Sequence, residues 1–132
     1  MQHKYRNKNH LACLTKIVIC FDAGKGRSAI AVIRISGPSS RQVLTKVARL
    51  SEHQLAPRKA LFRKIFDPEN GEVLDSGIVI WFPGPKSFTG EDSVELQIHG
   101  GFAVQCSVTN VLQKLPGFQM AEPGCYKSIE VL

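Results

Sequence analysis

Two ionic residues interrupt segments that otherwise read as apolar or alternating strands. Arg34 lies inside Ala29–Ser36 (AIAVIRIS), and Glu95 lies inside Ser93–His99 (SVELQIH). Charged groups are rarely buried unless they are paired. The two residues therefore predict either a structural arginine–carboxylate pair or a polar ligand site between the two strands. Glu91, Asp92, Glu95 and His99 offer a second grouping, of metal-ligating types. Glu91 and Asp92 are adjacent and splay apart, whereas Glu95 and His99 share a strand face. This spacing favours carboxylates that accept hydrogen bonds from loops or from a ligand over a metal centre.

Other motifs lack the context their chemistry needs. Gly24-Lys25-Gly26-Arg27-Ser28-Ala29 has the G-x-G-x-x-A form of a dinucleotide fingerprint, but a strand-like segment follows it where a helix N-terminus would have to meet the pyrophosphate. A tight connection between two strands is the expected role. His99-Gly100-Gly101 has the form of an esterase oxyanion turn, with no G-x-S-x-G nucleophile elbow to accompany it. G-x-x-x-x-G-K-[ST] is absent, so the chain alone is not expected to hydrolyse GTP.

The elements that must position these residues fit one domain of 132 residues, with 43% hydrophobic and 21% charged residues. No apolar run reaches the roughly 20 residues of a membrane-spanning helix. Four of the six net positive charges fall in residues 1–21, which hold Lys4, Arg6, Lys8 and Lys16 and no acid. This leader suits a solvated or cleavable extension and has features of a mitochondrial transit segment. A basic tail could also attract RNA. Cys13, Cys20, Cys106 and Cys125 form no C-x-x-C pair and are expected to be reduced thiols in an intracellular compartment.

Strands are predicted at 16–21, 29–36, 59–66, 73–82 and 93–99, the second of them buried on both faces except at Arg34. Asp67-Pro-Glu-Asn-Gly71 is the turn of a hairpin, and Pro83-Gly84-Pro85 ends the fourth strand. One helix is expected from Ser39 or Ser40 to about Leu50, and another over 102–115 with Val104, Val108, Val111, Leu112 and Leu115 on one side. The order β-β-α-β-β-β-α predicts an α+β fold with a mixed or antiparallel sheet and two or three helices.

The block WFPGPKSFTGEDSVELQIHGG, residues 81–101, closely resembles the signature W-F-P-G-P-x-S-[FY]-T-G-E-D-x-[VL]-E-[FL]-x-x-H-G-G of the MnmE/TrmE family of tRNA-modifying GTPases. Gly26-Arg27 and Ile30–Pro38 are similar to the family's G-R-x-x-I-x-[VI]-[IL]-R-x-S-G-P segment. Pro116-Gly117 and Ala121–Gly124 are similar to its P-G-(x)n-A-x-P-G-E-F stretch. The loop at Gly24–Arg27 and the basic leader look more like the family's mitochondrial branch than its bacterial one. The resemblance implies a basic leader over 1–15, a TrmE-type N-terminal tetrahydrofolate-binding and dimerisation domain over 16–124, and a divergent tail over 125–132.

It also implies 5-formyl- or methylene-tetrahydrofolate as the one-carbon donor for the wobble uridine of tRNA, with a taurine-derived product in mitochondria. The implied partners are a second copy of the chain, a flavin-dependent MnmG/GidA-like protein and, indirectly, tRNA; no membrane is implied. GTP, Mg and K belong to the GTPase part of full-length members. Two family folate ligands fall on Arg34 and Glu95. A carboxylate can accept two hydrogen bonds from the donor edge of a pterin, and a guanidinium offers fixed donors. A third family ligand, the lysine of an N-[DG]-K-L segment, has no counterpart, because Cys125-Tyr126 replaces Glu-Phe and the likeness stops there. The chain is thus expected to be a truncated form, either a folate binder or a non-catalytic module that pairs with full-length subunits.

Overall fold

A computed structural model describes residues 14–21, 30–87 and 89–121. Six strands form one mixed sheet: β1 Thr15–Phe21, β2 Ile30–Ser36, β3 Leu61–Phe66, β4 Val73–Phe82, β5 Ser93–His99 and β6 Phe118–Met120. Their spatial order is β3-β4-β5-β2-β1-β6. Every pair is antiparallel except β1 with β6. Among the described residues one α-helix, α1, spans Phe102–Lys114. The α+β class with a mixed sheet is thus as the sequence predicts.

Period-two alternation explains where the core lies. On β2, Ala31, Ile33 and Ile35 are fully buried, and Val94, Leu96 and Ile98 are their counterparts on β5. Val108, Val111, Leu112 and Leu115 of the α1 region close this face, together with Val43, Leu44 and Val47. Burying one such aliphatic side chain contributes roughly 1.5–3 kcal/mol. The opposite face of the sheet is open: Ile30 is exposed, and Val32 and Arg34 are half-buried. This corrects the expectation of a second strand buried on both faces. An apolar run cannot by itself tell one covered face from two.

The first expected helix is shorter than its hydrophobic spacing suggested. Arg41 and Gln42 open it, and Val43–Val47 form a π-helical turn. Ala48 N–H donates to the Val43 carbonyl at 2.9 Å, and Arg49 adopts φ 52°, which stops the helix before Leu50. A short 3-10 turn, Glu52–Gln54, stands where a plain loop was expected. The sequence reading also missed β6. Three residues carry no periodicity, and Phe118–Met120 is a strand because β1 supplies its partner. On α1, Gln105 and Thr109 are buried beside the expected valines and leucines. Gln105 Nε2 donates to the Gly100 carbonyl at 2.7 Å and Thr109 Oγ1 to the Gln105 carbonyl at 2.7 Å, so burial leaves those two donors satisfied.

The hairpin turn is built as the sequence dictates. Gly71 has φ +74° and donates its N–H to the Asp67 carbonyl at 2.8 Å, while Asp67 Oδ1 accepts from Glu69 N–H. Residues 1–13, with the leader, and 22–29, with the glycine-rich connection, lie outside the described residues. The strands flanking 22–29 pair antiparallel, and a strand follows the connection.

Gly77 permits the close approach of β4 to β5: a Cβ there would stand 2.1 Å from the Gln97 carbonyl oxygen. Replacing glycine ordinarily gains about 0.4–1 kcal/mol from the unfolded chain. Here the clash dominates, and Gly77→Ala is expected to destabilise the domain by about 1–3 kcal/mol, read as a lower urea midpoint.

Candidate functional site

The candidate residues lie on the open face of the sheet. Antiparallel pairing in strict register sets Arg34 of β2 directly opposite Glu95 of β5. Arg34 Nε lies 3.6 Å from Glu95 Oε2, with the arginine side chain 43% and the glutamate side chain 14% exposed. The structure therefore brings the two predicted residues together. A half-exposed pair of this kind contributes little stability through charge alone. Gln97, two residues along the same face, donates from Nε2 to Glu95 Oε1 at 3.1 Å. The two glutamate oxygens thus face different protein neighbours, one across the strands and one along its own strand.

Apolar positions frame this polar centre. In the same row Val18 stands beside Arg34 and Ile80 beside Glu95, and in the next row Val32 and Ile78 flank Gln97. Beyond Glu95 in the other direction the row is Lys16, Ser36, Ser93 and Phe82. A flat, partly polar molecule could lie on such a surface, its ring on the aliphatic side chains and its donor edge on the carboxylate.

The loop between β4 and β5 borders this end of the face and is tied down by Asp92. The Asp92 carbonyl accepts from Gly37 N–H and from Ser40 Oγ, both at 2.9 Å, and its Oδ1 accepts from Gly84 N–H at 2.8 Å. Ser87 Oγ donates to the Glu91 carbonyl. Thr89 Oγ1 reaches Ser36 Oγ at 3.4 Å. A Cβ on Gly84 would stand 2.7 Å from the Gly90 carbonyl, so the two arms of the loop meet only because that residue is glycine. Trp81 of the same block faces the core side, and the Arg41 guanidinium lies 5.5 Å from its ring centroid.

His99 pairs with a carboxylate on the neighbouring strand. Its ring Nδ1 lies 2.7 Å from Asp75 Oδ1, and its backbone N–H donates to Asp75 Oδ2 at 2.9 Å. The imidazole is 72% exposed, whereas the carboxylate is 10% exposed. Among the described residues no group of three or more His, Cys, Asp or Glu side chains converges. Neither sequence spacing nor composition pointed to Asp75, which sits on β4 at the far side of the hairpin. Gln97 was likewise missed, as a polar residue on a half-exposed strand carries no signal by itself.

Burial pushes the Asp75 carboxyl up, but hydrogen bonds from the His99 backbone, the His99 ring and the Ser76 backbone, with the imidazole charge, outweigh it and hold the group below its ordinary value. A carboxyl depressed in the folded state stabilises above its unfolded value of about 3.9, and that contribution is lost as pH falls through the folded value. Asp75→Asn is therefore expected to lower stability at pH 7 by about 1–2 kcal/mol. Wild type and variant should converge as the pH is taken from about 4 toward 2, measured by urea unfolding across that range.

Residues 17–128 match the family described as GTP-binding protein TrmE N-terminus. The chain is 48% identical over 113 residues to the tRNA modification GTPase MnmE of Methylobacterium sp. (strain 4-46), covering 86% of the chain and 25% of that protein. It is 48% identical over 107 residues to the mitochondrial 5-taurinomethyluridine-[tRNA] synthase subunit GTPB3 of Danio rerio, covering 81% of the chain and 21% of that protein. The Homo sapiens counterpart is 47% identical, with 81% of the chain and 22% of that protein covered. The chain thus spans about a quarter of the length of the curated relatives it matches. With the signature block forming the end of β4, the loop after it and β5 beside Arg34, the chain belongs to the family described as GTP-binding protein TrmE N-terminus.

Proposed function

We propose that residues 16–124 form a reduced-folate-binding and self-associating domain that serves modification of tRNA wobble uridine. The observation that carries this reading is the Arg34–Glu95 register pair, with Gln97 beside it, on an open sheet face. The donor set fits a tetrahydrofolate. Glu95 is an acceptor for the aminopyrimidinone edge, Arg34 supplies donors to a carbonyl or carboxylate, and Ile78, Ile80 and Val32 offer surface to the ring. When bound, the folate supplies the one-carbon unit; the residues of this chain hold and orient it. GTP hydrolysis, its metal ions and the flavin-dependent MnmG/GidA-like partner belong to the longer assembly, where tRNA is met. The likeness to mitochondrial relatives and the acid-free basic residues 1–21 support a mitochondrial location.

Self-association is supported by the same face. Phe62 and Ile30 are exposed there, beyond the residues assigned to the ring. A second copy would remove this apolar surface from water.

Calorimetric titration with 5-formyltetrahydrofolate tests the reading. The chain should bind saturably, and Arg34→Ala with Glu95→Ala should weaken binding by about a hundredfold or more, since each removes a hydrogen bond to a charged group. Unchanged affinity in a folded double variant would reject the site. No binding by the folded wild-type chain would leave a non-catalytic module that pairs with full-length subunits. Sedimentation should show a dimer that Phe62→Glu weakens.

A further inference from the structure

We infer that Gln97 is a positioning residue for the folate ligand, acting through Glu95; this rests on the reading of Arg34 and Glu95 proposed above. Gln97 falls at a position that the family signature leaves open, yet its amide makes a specific contact. A carboxylate can only accept, so the amide must turn Nε2 toward it, and the bond to Glu95 Oε1 at 3.1 Å fixes the direction of the side chain. Arg34 engages the other oxygen at 3.6 Å. The carboxylate is thereby held from two sides before any ligand arrives.

The surroundings favour this role over packing. Gln97 pairs with Val32 on β2 and with Ile78 on β4, so an aliphatic side chain would suit the position as well. The backbone beneath it is fixed by the close approach of Gly77. A long glutamate side chain left free loses rotamer freedom when a ligand immobilises it. Holding it beforehand removes part of that cost from binding. Gln97 thus raises affinity by keeping the Glu95 acceptor edge in one orientation.

Titrating wild type, Gln97→Met, Glu95→Gln and the double variant with 5-formyltetrahydrofolate, each with its melting temperature, decides the matter. Gln97→Met should weaken binding about three- to tenfold, the worth of one hydrogen bond. In the Glu95→Gln background the same change should matter by less than about twofold, because the group it acts through is altered. Equal losses in both backgrounds, or wild-type affinity in Gln97→Met, would overturn the inference while leaving the folate site standing. Absence of binding by the wild type would overturn the folate reading and this inference with it. Should Gln97→Met unfold, Gln97→Asn keeps an amide one methylene short of Glu95 and should show the same loss.

Discussion

Seven consecutive antiparallel pairs between β2 and β5 hold the centre of this molecule, from Ile30 with His99 to Ser36 with Ser93. Because side chains alternate along both strands, this register decides two things at once. It stacks Ala31, Ile33 and Ile35 against Val94, Leu96 and Ile98 on the face that α1 covers. It also sets Arg34 against Glu95 on the face left open. A slip of one residue would turn the apolar set to solvent and the ionic pair into the core, so the hydrophobic requirement enforces the geometry of the polar site.

The rest of the fold reinforces that register. Gly77 lets β4 close on β5 at the Gln97 carbonyl. The Asp75 carboxylate, partly buried on β4, grips both the backbone and the ring of His99 and so fastens the far end of the pair. At the near end Asp92 joins the β4–β5 loop to Gly37 and Ser40 just after β2. The signature block therefore has a structural reason for its density. Its glycines and Asp92 shape a loop against the β2 terminus, its strand carries Glu95, and its His-Gly-Gly end docks on Asp75 and opens α1. No helix of the described residues is long and apolar enough to cross a membrane.

Much of this was legible in the residues. Alternation in SVELQIH, the Asp67–Gly71 turn, the proline stop after Phe82 and the helical spacing of Val108, Val111 and Leu112 are local signals, and local physics is sufficient to read them. Arg34 and Glu95 were legible for a different reason: an ionic group within a strand is costly, so its presence needs a partner. The helix at Val43–Val47 was over-extended because hydrophobic spacing does not reveal where Arg49 turns left-handed. Strand β6 escaped notice because three residues have no period.

The sequence by itself determined which elements form and which two residues are chemically out of place, since propensity, turn chemistry and charge burial act over a few residues. Only the tertiary structure decided that Arg34 and Glu95 are register partners, that the Gln97 amide bonds to the glutamate and that Asp75 pairs with His99. Those contacts join residues on different strands, or depend on which face the helix leaves uncovered. Strand order and the covered face are set by packing the whole apolar set at once, which no local pattern encodes.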